Sequence, residues 1–229
     1  ARIAKILQFS QSVHHLLGSD VVGMWGFDSI EPGNKVLDIS GYRNHGTVVG
    51  GAVLTKGVVG NALNFDNFGE YVSVPQGNLQ ITGDVTVSFF WFPTICPEAW
   101  YGMVIAMGDR PNNAYLFYIQ GMGIPPYTCW LHWGFYDDGG SFREPKTKAG
   151  IMFSTPFSNI ANKWNHILGV RKNGVLTLYL NGEKVAGPTD YSAYSVATSG
   201  FGLGISASFD GYYRLTGLID EVRIYEQGF

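Results

Sequence analysis

Two Asn-Gly pairs, Asn173-Gly174 and Asn181-Gly182, bracket the alternating run VLTLYL. A two-residue type I′ hairpin turn needs positive φ at both central positions, and Asn-Gly adopts that conformation most readily. The stretch ILGV-RKNG-VLTLYL-NG-EKV is therefore predicted to be an antiparallel meander. Three such strands present an apolar face that only a second layer can bury, so the rest of the chain has to provide that layer.

The chain provides it in kind. From Val21 onward short apolar runs with period two are separated by Gly, Asn, Asp and Pro. Strands are expected at 21–28, 36–39, 62–66, 71–74, 85–92, 102–107, 114–120, 128–136, 165–171, 175–180, 201–206 and 215–225. Many short strands with regular turn signals argue for an all-β sandwich. Residues 122–126, with Pro125-Pro126, and the polar run 137–149 read as loops, because proline lacks a ladder donor and the second run lacks alternation. Alternation places Phe27, Phe65, Val87, Phe89, Trp91, Leu131, Trp133, Leu178, Leu180, Ile219 and Val222 in the core.

Residues 1–20 follow a different period. Ile3, Ile6, Leu7, Phe9, Val13, Leu16 and Leu17 occupy about half of a helical wheel, interrupted by Arg2, Ser10 and His14. Gly18 is a natural stop. The pattern is already under way at Ala1, so a helix that begins further upstream is expected. The predicted organisation is an amphipathic helix over 1–20 and one sandwich domain over 21–229.

Only 14% of residues are charged and the net charge is −3, which gives no electrostatic footprint for nucleic acid. No run of eighteen apolar residues is present in the sequence. Low charge with many Gly and aromatic residues fits an extracellular or cell-surface protein. Cys96 and Cys129 are either a disulfide or two buried thiols, and the sequence leaves both open.

Four segments carry a family resemblance. GMWGFD with VLDISGYRNHGTVVGG spans 23–51, and GNALNFDNFGEYVSVP spans 60–75. KWNHILGVRKNGVLTLYLNGEKV spans 163–185, and LTGLIDEVRIY spans 215–225. In this order they resemble the laminin-G-like, concanavalin A-like jelly-roll family. The resemblance implies two antiparallel sheets, adjacent first and last strands, and an occasional structural calcium. The helix running into such a sandwich also resembles bacterial type IV pilin-like proteins, although the Gly-Phe-Thr-Leu-Ile-Glu start of that family is absent. That likeness implies assembly with other copies of the chain through Ile3, Ile6, Leu7, Phe9, Val13, Leu16 and Leu17.

The sandwich residues suggest three chemistries. For calcium, Asp28 ends the first strand and Asp220 lies in the last, with Asp38 and Asn44 in the following turn; the alternative is that these residues cap turns. For glycans, Trp130, His132 and Tyr136 share the face of 128–136 opposite its core side, and Trp100 and Tyr101 lie in a nearby segment. Aromatic faces stack on sugar rings while polar neighbours fix hydroxyls. For glycoside hydrolysis, two carboxylates must flank one bond. The nearest match, Asp220-Glu221, places adjacent strand residues on opposite faces, so no enzyme is expected. The expected function is a surface interaction module, the head of a pilin-like filament subunit. The alternatives are a lectin-like module binding glycans or cell-surface proteins and, more weakly, a glycoside hydrolase.

Overall fold

The computed structural model describes residues 20–67, 69–96, 101–108, 115–121, 128–135, 149–196, 202–207 and 215–229. In chain order the strands are β1 (Val21–Trp25), β2 (Lys35–Val36), β3 (Gly46–Val49), β4 (Val53–Lys56), β5 (Asn61–Phe65), β6 (Tyr71–Val74), β7 (Val85–Pro93) and β8 (Tyr101–Met107). They continue with β9 (Tyr115–Gly121), β10 (Thr128–Phe135), β11 (Ala149–Pro156), β12 (Asn165–Lys172), β13 (Val175–Leu180), β14 (Glu183–Asp190), β15 (Leu203–Ile205) and β16 (Gly217–Tyr225). Among the described residues the only helical turn is a 3₁₀ turn at Phe157–Asn159. The expected helix, with its assembly residues from Ile3 to Leu17, lies outside the described residues.

The strands form two eight-stranded antiparallel sheets. The first runs β14-β13-β12-β7-β16-β5-β4, with β1 added to β16. The second runs β11-β10-β9-β8-β15-β6-β3-β2. The first and last strands are neighbours, with Val21 opposite Tyr225 and Trp25 opposite Val222, as the resemblance implied. The meander forms as expected. Asn173 and Gly174 have φ of 51° and 79°, and Asn181 and Gly182 have 54° and 83°, which is the turn chemistry that sets the β12–β13–β14 register.

Several expectations need correction. The strand expected over 21–28 stops at Trp25; Phe27 follows at φ 53°, a turn conformation that ends the ladder. The strand expected at 36–39 is reduced to β2, because the Asp38 side chain gathers its own turn. Strands β3, β4 and β11 were not anticipated, and β14 extends to Asp190 beyond the expected EKV arm of the meander. β11 opens at Ala149, the last residue of the expected 137–149 loop. β4 and β14 are largely exposed edge strands, where no apolar face imposes alternation.

The inward rows of the two sheets build one core. Phe89 meets Phe117 edge to face at 5.2 Å, and Phe117 stacks on Trp133 at 4.5 Å. Trp133 is buried and donates its Nε1–H to the Val170 carbonyl across the sandwich at 3.1 Å. This close approach requires Gly169, since a Cβ there would collide with the Phe117 and Trp133 rings. Of the eleven residues assigned to the core by alternation, Leu180 alone is only half-buried. Cys96, just beyond β7, and Cys129, in β10, are joined in a disulfide with Cα atoms 6.2 Å apart, which ties the first sheet to the second.

Candidate functional site

β10 alternates as its sequence requires. Cys129, Leu131, Trp133 and Phe135 are buried in the core, while Thr128, Trp130 and His132 are half-buried on the outer side. The antiparallel register extends each outer residue into a row across the sheet. Met103 of β8, Tyr118 of β9, His132 of β10 and Met152 of β11 occupy one row. Tyr101, Gln120, Trp130 and Ser154 occupy the next.

In the first row the rings of Tyr118 and His132 stack at 4.1 Å with planes 10° apart. Met103 packs beside Tyr118 and is buried, whereas Met152 on the far side is 61% exposed. Burial pushes the His132 imidazolium down to about 4, so the ring is neutral at physiological pH. Its Nε2 is shielded and has no hydrogen-bond partner among the described residues. A neutral imidazole can donate from one nitrogen and accept at the other, which suits a hydroxyl. The arrangement is a pair of stacked aromatic rings with one polar atom that has no partner among the described residues.

Trp130 and His132 were both expected at this site, and the structure brings them to adjacent positions of one outer face. The register places Tyr101 in the Trp130 row, as the sequence had grouped them. Trp100 and Tyr136 lie outside the described residues. The sequence reading missed Tyr118 and Met152. The signal for Tyr118 was available: in YLFYIQ, Tyr118 has the parity opposite to the core residues Tyr115, Phe117 and Ile119. Only the pairing of β9 with β10 makes it a partner of His132.

The residues proposed for calcium separate into two groups with different tasks. Asp38 organises its turn: Oδ1 accepts from Met24 N at 2.8 Å and Ser40 N at 2.9 Å, and Oδ2 accepts from Ser40 Oγ and Asn44 N, both at 2.8 Å. Asn44 donates to the Val22 carbonyl at 2.7 Å. Asp28 and Asp220 instead hold the loop between β4 and β5. Asp28 accepts from Asn61 N at 3.0 Å, and Asp220 accepts from Val58 N at 2.8 Å and Val59 N at 3.2 Å. Backbone N–H groups thus occupy both oxygens of Asp38 and one oxygen each of Asp28 and Asp220, while Asp220 Oδ1 is buried with no partner among the described residues. Among the described residues no group of three or more His, Cys, Asp or Glu side chains is placed to hold a metal.

Asp220 and Glu221 do not alternate as regular strand neighbours. The register shifts between Asp220 and Arg223, and Glu221 sits at φ 52°, so a β-bulge breaks the alternation there. Asp220 is raised to about 7, mainly by burial; the N–H groups of Val59 and Val58 oppose this and the Glu221 charge adds to it. Glu221 pairs with Arg223. The two carboxyls are therefore engaged by the loop and by an arginine.

Residues 65–228 match the family profile of the Concanavalin A-like lectin/glucanases superfamily, and the chain belongs to that family. No curated relative matches the sequence. Among solved structures, the binding domain of Paraclostridial Mosquitocidal Protein 1 is similar with a TM-score of 0.68 at 18% identity, over 93% of this chain and 50% of that one. Domain 4 of AbnA, a GH43 extracellular arabinanase from Geobacillus stearothermophilus, in complex with arabinotriose, is similar with a TM-score of 0.61 at 18% identity, over 92% of this chain and 94% of that one. The botulinum neurotoxin serotype D ligand binding domain in complex with N-acetylneuraminic acid is similar with a TM-score of 0.66 at 15% identity, over 95% of this chain and 50% of that one. The chain thus spans about half of these toxin domains and nearly all of the arabinanase domain. At these identities the likeness shows the shared fold. The family match and these structures give the pilin-like resemblance no support.

Proposed function

We propose that this chain is an extracellular, non-catalytic binding module that recognises a neutral glycan on the outer face of its second sheet. The observation that carries the reading is the Tyr118–His132 stack, with Trp130 in the neighbouring row and His132 Nε2 left without a partner among the described residues. The rings would support the apolar face of a sugar, and a hydroxyl would reach His132 Nε2 by displacing what shields it. Neither row contains Lys or Arg, which favours a neutral sugar over an anionic one. The similar arabinanase and neurotoxin domains were solved with arabinotriose and N-acetylneuraminic acid, and both support a carbohydrate ligand for this fold. A filament role draws on residues 1–18 alone and is not part of this reading.

The test is calorimetric titration of the full chain with a panel of soluble neutral oligosaccharides, repeated with Trp130→Ala and His132→Ala. At least one sugar should bind, and each variant should weaken it by severalfold while keeping the melting profile of a folded protein. Absence of binding across the panel, or binding that both folded variants retain in full, would overturn the reading.

A further inference from the structure

Three large apolar side chains stand in solvent within the short stretch that follows β2: Leu37 is 39% exposed, Ile39 61% and Tyr42 44%. Val36 and Asp38 are buried, so Leu37 and Ile39 leave the chain on the same outward side. Gly41 at φ 100° and Arg43 at φ 60° reverse the chain on either side of Tyr42. The main chain of this turn is bonded within the fold. Asp38 N donates to His45 Nδ1 at 3.0 Å, Ile39 N to the Met24 carbonyl at 2.9 Å and Ser40 N to Asp38 Oδ1 at 2.9 Å. Tyr42 N donates to Ser40 Oγ at 3.3 Å and Asn44 N to Asp38 Oδ2 at 2.8 Å. Donors already bonded in this way leave water at little cost, whereas an unbonded N–H would lose its hydration. The turn therefore combines exposed apolar side chains with a main chain prepared for an apolar environment.

We propose that the turn 37–43 is a peripheral docking point for a phospholipid bilayer with anionic headgroups. Leu37 and Ile39 enter the boundary between headgroups and acyl chains, and Tyr42 lies at the level of the interface, where its ring and hydroxyl are both accommodated. Charge favours this occupant. Lys35 and Arg43 flank the turn and are exposed, placed to meet lipid phosphates. The only acid between residues 32 and 59 is Asp38, which is buried with both oxygens accepting hydrogen bonds. Glu31, on the far side of Lys35, accepts from Ser29 Oγ. A two-fold contact with a second copy would set these bases against one another. An added peptide strand needs free main-chain donors, and those of Asp38, Ile39 and Ser40 are taken. The turn stands apart from the glycan platform: β2 is six strand intervals from β10, about 29 Å along the second sheet.

The test sediments the full chain with vesicles of phosphatidylcholine mixed with phosphatidylglycerol, and with vesicles of phosphatidylcholine alone. Neither lipid carries a sugar, so the glycan platform has no part in the result. The chain should sediment with the mixed vesicles, less with the neutral ones, and less again as salt is raised. Leu37→Ser with Ile39→Ser should weaken binding by about tenfold. Lys35→Gln with Arg43→Asn, the second chosen for its positive φ, should weaken it by about fivefold for each base removed. All four side chains are exposed, and a melting profile checks that each variant is folded. Tyr42→Ser gives an independent reading and should also weaken binding. No sedimentation with the mixed vesicles, equal sedimentation with both kinds, or full binding by the folded Leu37→Ser, Ile39→Ser variant would overturn the proposal. A dimer formed without lipid and lost in that variant would overturn it in favour of a second copy. Glycan titration is read separately, so either proposal can fail alone.

Discussion

Tyr118 and His132 stack face to face at 4.1 Å across the β9–β10 ladder, and an imidazole nitrogen there has no partner among the described residues. This pair is the centre of the proposed site, and its electrostatics give a prediction. With its pKa held near 4, His132 stays neutral from pH 5.5 to 8. Glycan affinity measured by titration over that interval should be flat, and it should fall only as pH approaches 4. A break in affinity near pH 6.5 would show that the imidazole is solvated and does not contact the ligand as described. Losing one aromatic contact should cost about 0.5–1.5 kcal/mol of binding.

Gly169 allows Phe117 and Trp133 to lie directly against β12. Gly169→Ala should destabilise the fold by about 1–3 kcal/mol, since the added methyl has no room without moving two rings. Trp133→Ala should cost about 3–5 kcal/mol through the cavity it leaves. Urea unfolding of both variants checks this. A Gly169→Ala protein as stable as the parent would mean that the rings approach less closely than described.

The Cys96–Cys129 disulfide closes a loop with a sequence separation of 33 residues between the two sheets. The chain-entropy treatment assigns a loop of that size about 4 kcal/mol. The double variant Cys96→Ala, Cys129→Ala should lose stability on that order in equilibrium unfolding. Thiol titration of the denatured, unreduced protein should find none free.

Buried titrating groups on the first sheet pull stability in opposite directions with pH. Asp220 is raised to about 7, so the folded protein keeps a proton that the unfolded chain releases near 4; its contribution is lost as pH rises from about 4 to 7. His166 is lowered to about 4 by burial and by the nearby Arg223, so the unfolded chain takes up a proton first and stability is lost as pH falls from 6.5 to 4. Asp220→Asn should therefore make the loss of stability on acidification steeper, and His166→Gln should make it shallower. Melting temperatures from pH 4 to 7 read both slopes, and reversed signs would contradict the burial of these groups.

The local chemistry was legible in the sequence. Asn-Gly at 173–174 and 181–182 dictated positive φ and hence the meander, because a turn conformation is decided by the residues that occupy it. The parity of β10 separated Leu131 and Trp133 from Trp130 and His132 for the same reason: alternation is a property of one strand. Ladder partners were not legible. That Tyr118 meets His132 depends on the register of β9 on β10, and that β15 sits between β8 and β6 depends on contacts between distant parts of the chain. The bulge at Glu221 was equally hidden, since the register it disturbs belongs to β7 as much as to β16. The four oxygen-bearing side chains assigned to calcium show the limit most directly. Their type suits a cation, but that backbone N–H groups reach both oxygens of Asp38 and one oxygen of Asp220 was decided by the fold. Sequence alone determined the period of strands with one buried face, such as β10, and the Asn-Gly turns of the meander; tertiary structure decided the edge strands, the bulge and which strands became neighbours, because pairing energy resides in groups that meet only when the sheets close.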